Sequence, residues 1–221
     1  MNRDELVRLY PNLYHLAEDG SWPSIEMHGL LSTERLLDLF EVDDQRRDLL
    51  MRSHRPDSVQ IEHPIHGVAV VRDQKPISVS KLKACLDDMT ITEWFETLNQ
   101  RVFFWLQEGR LDRMLNAPPY RTRPHTVLVI DTARIVQSHG DAIRLSHINT
   151  GATLFDPPRR GPHTFTTIED YLHPNRRRAL AAASDLAELA VLEGVPDIVD
   201  LVVRVERRRA DAGVLEVIWE P

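Results

Sequence analysis

The run His-Thr-Val-Leu-Val-Ile-Asp-Thr at 125–132 constrains this chain more than any other stretch. Its apolar residues are continuous rather than alternating and rich in β-branched side chains, the pattern of a strand buried on both faces. Such a strand needs neighbours, and the rest of the chain offers both strands and helices. Residues 4–10 read as a short helix and Asn12–Leu16 as a strand. Ser21 caps a helix with Pro23 in its first turn, where a missing N–H costs nothing, and Gly29 is its stop. "STERLLDLF" opens with Ser32 and Thr33 as caps and sets Leu36, Leu37 and Phe40 at helical spacing. A polar helix follows over 43–53. "SVQIEHPIHGVAVVRDQKPIS" reads as two short strands interrupted at 64–67, with a turn at "RDQKP". Helices in "SVSKLKACL" and "TEWFETLN" then lead to a strand in "RVFFWL".

Residues 146–165, "SHINTGATLFDPPRRGPHTF", have no periodicity and three prolines, and form a long loop of the kind that often carries function. An arginine- and alanine-rich helix, "PNRRRALAAASDL", precedes three terminal strands whose last turn is "ADAG". This order lacks the regular strand-helix alternation of a doubly wound sheet, so the expected class is α+β. With 221 residues, 42% of them hydrophobic, one domain can bury a substantial core.

The formal charge of −7 provides no overall basic field for non-specific nucleic-acid binding. The single Cys85 excludes an intramolecular disulfide and a thiolate-rich metal site. His63 and His66 in "HPIH" have a metal-compatible spacing, but no cysteine cluster or acidic ligand set accompanies them, so no metal is read. The first residues lack a basic start followed by an apolar core, and no later run approaches the length that spans a bilayer. The expectation is a soluble, cytoplasmic protein without a membrane partner. The Arg triplets at 176–178 and 207–209 read as solvated faces. No Walker loop, G-x-G-x-x-G, H-E-x-x-H or G-x-S-x-G occurs, so nucleotide binding would rest on side chains and strand ends.

"LYHLAEDGSWPSIEMHGLLS" resembles the opening motif of the ADP-ribosyltransferase fold, in particular its DarT-like branch, in which a strand ending in Tyr-His-x-Thr leads to a helix and a Gly-Leu-Leu. "RVFFWLQEGRLDRML" is similar to that branch's aromatic middle strand and the segment after it. "DLAELAVLEGVPDIVDLVV" resembles the late strand bearing the catalytic glutamate. The three motifs stand in the family's order; the family's Thr is Ala17 here.

The resemblance implies an ADP-ribosyltransferase-like domain over 1–221, with two small, mainly antiparallel sheets forming a cleft for NAD as co-substrate. Breaking the bond between nicotinamide and ribose builds positive charge on the sugar, as in glycoside hydrolysis, and a fixed carboxylate stabilises it. That role falls to Glu188, with His15 bonding a ribose and Ser24 or nearby backbone meeting polar groups of NAD. The rings of the middle strand would stack on nicotinamide. Alternation places Phe103 and Trp105 on one face and Phe104 on the other, so one set alone can line the cleft. For the diphosphate, whose oxygens suit a planar guanidinium fork, the candidates are Arg72, Arg101 and the helix arginines Arg46, Arg47 and Arg52. Arg159 and Arg160 lie where the fold carries its acceptor loop. The acceptor would be a nucleic acid or a protein, in a toxin or phage-defence role with an antitoxin partner.

The alternatives are an NAD glycohydrolase or a non-catalytic binding module of the same fold, which Ala17 favours. Ordinary structural roles compete for each residue. A strand histidine commonly faces the core and bonds a carbonyl, and strand aromatics are usually core. A lone carboxylate among apolar neighbours is expensive to bury unless paired or used, so Glu188 either serves a site or faces water on an edge strand.

Overall fold

The computed structural model of the protein describes residues 1–171 and 186–221. The arginine- and alanine-rich helix expected in "PNRRRALAAASDL", with the triplet at 176–178, falls almost wholly outside the described residues.

The chain begins with α1 (Arg3–Leu9), β1 (Asn12–Glu18), α2 (Trp22–His28), the two-residue β2 (Leu30–Leu31), α3 (Thr33–Leu39) and α4 (Asp44–Arg52). A hairpin of β3 (Val59–His63) and β4 (Gly67–Val71) leads to α5 (Val79–Cys85), α6 (Ile91–Asn99), β5 (Arg101–Trp105) and α7 (Glu108–Leu115). Then follow β6 (His125–Asp131), α8 (Thr132–His139) and β7 (Ile143–Ser146). The last part holds β8 (Glu188–Leu192), β9 (Gly194–Val195), the single-turn α9 (Ile198–Leu201), β10 (Val202–Arg209) and β11 (Gly213–Trp219).

The class is α+β, as the element order implied. The expected pair of small sheets is instead one seven-stranded antiparallel sheet, ordered β11-β10-β6-β1-β5-β8-β7, beside two two-stranded ribbons, β2-β9 and β3-β4. β6 is buried along almost its whole length between β1 and β10, in keeping with its unbroken apolar run.

Local chemistry explains the helix boundaries. Ser32 and Asp43 accept the Arg35 and Arg46 backbone N–H groups, and Thr90 with Glu93 closes a reciprocal capping box on α6. Ser21 stands at the start of α2 but its side chain makes no capping bond. Gly29 ends α2 at φ 84°, and a Cβ there would lie 2.5 Å from the Pro196 Cα, so only glycine fits. That close approach lets Leu30–Leu31 pair with Gly194–Val195, which stitches the end of α2 to the segment just after β8.

Alternation along β1 sorts the two faces of the sheet. Leu13 and Ala17 join Phe104, Leu128, Leu189 and Val191 in the main core, covered by α1, α2, α8 and α9. Leu16 points to the opposite face, where it packs with Val127 against Leu111 and Leu115 of α7. α5 and α6 bring Leu82, Trp94 and Leu98 to a third cluster, and Phe103 leans on it. The β3-β4 hairpin packs Ile61, Ala69 and Val71 on α3 and α4. Among the described residues no helix is long and apolar enough to cross a membrane.

Candidate functional site

β1 and β5 share a single register pair, Tyr14 opposite Trp105. The residues that would continue the ladder, His15–Glu18 on one strand and Arg101–Phe104 on the other, line a cavity of about 560 Å³. α2, β4, the turn after β4 and residues 149–151 form further parts of its wall. A parted ladder leaves backbone groups that must find other partners. Two side chains supply them: the His15 Nδ1–H donates to the Phe103 carbonyl at 2.9 Å, and Arg72 Nη1 donates to the Leu16 carbonyl.

A carbonyl can only accept, so Nδ1 of His15 carries the proton and Nε2 keeps its lone pair. Burial holds this imidazole neutral, lowering it to about 4 against the help of the Phe103 carbonyl, and the positive charge of Arg72 pushes the same way. The expected habit of a strand histidine to bond a carbonyl is thus met by one nitrogen alone.

Glu188 opens β8 directly opposite Trp105 on β5 and Ser146 on β7, so its strand is internal and the carboxylate does not face bulk water. It is 5% exposed and lines the cavity. Thr150 donates to Oε2 twice, from its N–H at 3.0 Å and from Oγ1 at 2.6 Å; Oε1 takes part in neither bond. Burial raises the carboxyl to about 7, opposed by the two Thr150 bonds and by the charges of Arg160 and Arg110. Near neutral pH it therefore exists in both protonation states, the condition that suits a group exchanging protons in a reaction.

Phe103 and Trp105 share the face of Glu188 and line the cavity half-buried, while Phe104 borders it from the main core at 1% exposure, 5.7 Å from the His15 ring. The more exposed aromatic pair at the cavity is therefore Phe103 with Trp105. Arg101 also lines it. Its Nη1 donates to the Thr97 carbonyl, its guanidinium lies 4.7 Å from the Phe165 ring centroid, and its Nε is buried without a hydrogen-bond partner. Burial, with the like charge of Arg144, pushes Arg101 down to about 10. Arg72 presents a second buried, unpartnered nitrogen, Nη2, and burial lowers it too. Both guanidinium groups would gain from an anion in the cavity. Ser24, half-buried on α2, lines the same space.

A polar network that the sequence reading missed joins this wall through Glu18 and Asp73. Ser58 Oγ lies 2.8 Å from Glu18 Oε1 and 3.3 Å from Asp73 Oδ2, Tyr120 donates to Asp73 Oδ1 at 2.6 Å, and Arg123 sits within 3.6 Å of both acids. Burial would raise Asp73, but the Tyr120 and Lys75 donors together with the charges of Arg72 and Lys75 outweigh it and hold the carboxyl below its usual range. The "RDQKP" turn that carries Asp73 was the available signal.

The remaining arginine candidates lie elsewhere. Arg46 donates to the Gln60 carbonyl, Arg47 pairs with Asp38, Arg52 pairs with Asp48 and Glu96, and none of the three lines the cavity. Arg159 is exposed and paired with Asp87. Arg160 is 2% exposed and donates to the Thr150 carbonyl, so it holds the loop from inside rather than facing an acceptor. His63 and His66 stack at 4.7 Å in the β3-β4 turn, and His63 Nδ1 accepts the Ile65 and His66 N–H groups.

The family model that matches this chain covers residues 11–202 and is described as a family of unknown function, DUF7002. The chain belongs to that family. No curated protein matches it. The matched span of DUF7002 runs from just ahead of β1 to the first residue of β10 and includes every residue that lines the cavity.

Proposed function

We propose that the protein is an NAD-dependent ADP-ribosyltransferase of DarT-like kind, with Glu188 as its catalytic residue and His15 as a nucleotide ligand. One observation carries this reading. Three separate sequence motifs, those of His15, of Phe103 and Trp105, and of Glu188, meet on one cavity where β1 and β5 part. At about 560 Å³ the cavity falls within the roughly 300–1,000 Å³ usual for small-molecule sites.

In this reading the glycosidic bond breaks with its electron pair leaving on nicotinamide, and the cationic sugar is then attacked by the acceptor. Oε1 of ionised Glu188 accepts the ribose 2'-hydroxyl and faces the developing charge in a water-poor wall, where its electrostatic effect is strongest. The Nε2 lone pair of His15 accepts a hydroxyl of the nucleotide. The rings of Phe103 and Trp105 offer the nicotinamide an apolar surface, and Arg72 and Arg101 meet the diphosphate. The acceptor is a nucleic acid or a protein; the acidic balance of the chain favours protein. The toxin or phage-defence role, with an antitoxin as partner, belongs to the same proposal.

The test is release of nicotinamide from NAD by purified protein supplied with cell lysate as acceptor, with Glu188→Gln measured alongside. Turnover by the parent and its loss in the variant is the expected result. Absence of both turnover and calorimetric NAD binding in the parent would overturn the proposal. Binding without turnover would indicate the binding-module alternative, and turnover that is indifferent to acceptor would indicate a glycohydrolase.

A further inference from the structure

The loop that follows β7 lies against the cavity at Asn149–Gly151 and is anchored well beyond it. Thr153 donates its backbone N–H to the Pro76 carbonyl at 2.9 Å, and its Oγ1 accepts the Ser78 N–H at 2.7 Å. Seven residues later the loop is tied again. The Arg160 N–H donates to the Cys85 carbonyl at 2.9 Å, and its carbonyl accepts the Asp87 N–H at 2.8 Å. From there the Arg160 side chain turns inward, with its guanidinium 5.8 Å from the Trp94 ring centroid, Nε on the Pro158 carbonyl and Nη1 on the Thr150 carbonyl at 2.9 Å. A buried cation is costly unless its donors are used, and this one spends two of them on its own loop.

Thr150 is therefore held from behind while its N–H and Oγ1–H both point at one oxygen of Glu188. We infer that Thr150 is the positioning residue of Glu188: it clamps Oε2 and thereby fixes Oε1 as the oxygen offered to a ligand, with Arg160 holding Thr150 in register. The inference rests on the proposed role of Glu188 and adds the device that would govern it. The groups acting on this carboxyl are Thr150 and Arg160 from the loop and Arg110 from α7. His15, on the same cavity, is held neutral. Two donors directed at the ionised form hold Glu188 near neutrality, where burial alone would drive it higher.

Thr150→Val removes the hydroxyl and leaves the backbone N–H. Loss of a hydrogen bond to the charged form should raise the pH at which Glu188 ionises by about 1–2 pH units. Carboxyl ¹³C NMR of protein labelled at glutamate reads this directly, the Glu188 resonance being the one absent from Glu188→Gln. Thr150→Ser, which restores the donor, should titrate like the parent. If the acid limb of nicotinamide release is measurable, it should move upward by the same amount in Thr150→Val. Should that variant not fold, Thr150→Ala deletes the same donor. Identical Glu188 titration in the parent and in whichever folded variant lacks the hydroxyl would overturn the inference. The NMR titration needs no NAD, so it decides the role of Thr150 even if the transferase reading fails on the absence of NAD binding.

Discussion

Replacing Glu188 by glutamine should change how the stability of the protein depends on pH. The folded chain binds the Glu188 proton up to about pH 7, against 4.5 for an ordinary glutamate. Unfolding releases that proton between the two values, so the contribution to folding is fully present below about 4.5 and is lost as the pH climbs through about 7. At about 1.4 kcal/mol per pH unit the whole loss is roughly 3 kcal/mol. The amide of the Glu188→Gln side chain stays neutral, and its oxygen can accept the same two Thr150 donors, so the variant escapes the loss. Relative to the parent, Glu188→Gln should gain roughly 3 kcal/mol between about pH 4.5 and 8, with a steepest slope near one proton. His15 acts in the opposite sense over a largely overlapping window, but it is common to both proteins and cancels in the difference. Urea unfolding of the two proteins across this range at fixed ionic strength measures the quantity. A flat difference would show that Glu188 ionises like a solvated carboxylate and would refute the reasoning from its burial.

Three further outcomes are expected. ¹⁵N NMR should find His15 neutral with its proton on Nδ1 at pH 6, charging only near about 4; its share of stability is then lost as pH falls from 6.5 through about 4, and a histidine titrating at 6.5 would contradict the bond to Phe103. Gly29→Ala places a Cβ against the Pro196 backbone at positive φ and should cost about 1–3 kcal/mol in denaturant unfolding, whereas Gly20→Ala, also at positive φ but in open space, should cost less. Asn99→Ala removes the acceptor of Arg55 Nη2 and the donor to the Met51 carbonyl, both in a buried setting, and should cost about 2–3 kcal/mol by the same assay.

The elements with strong local signals were legible without coordinates. The uninterrupted apolar run of β6, the helix in "TEWFETLN", the Gly29 stop and the β3-β4 hairpin all follow from short-range sterics and hydrogen bonding. α8 and β7 were not read. α8 begins on the last residue of β6, with Asp131 serving both as the end of the strand and as the helix cap, and β7 is four residues long. β7 is too short to display a period, and α8 has no linker to set it off from the strand it follows. The two small sheets were implied by the family resemblance alone; the observed strand order depends on pairings between residues far apart in the chain, such as Arg101 with Leu192, which no local pattern records.

The site divides in the same way. Alternation placed Phe103 and Trp105 together and Phe104 apart, and an acid among apolar neighbours marked Glu188 as unusual. Which aromatic pair stays partly exposed at the cavity was decided by the main core claiming Phe104. Arg159 and Arg160 look alike in a polar, proline-rich loop, yet one pairs with Asp87 at the surface and the other is drawn inside by the Thr150 carbonyl. Residue types and local geometry were thus fixed by the sequence itself, because they depend on neighbours within a few positions. The parting of β1 from β5, and with it the cavity and the ionisation of Glu188, came only from tertiary packing, because burial and charge at one residue are set by side chains distant in the chain.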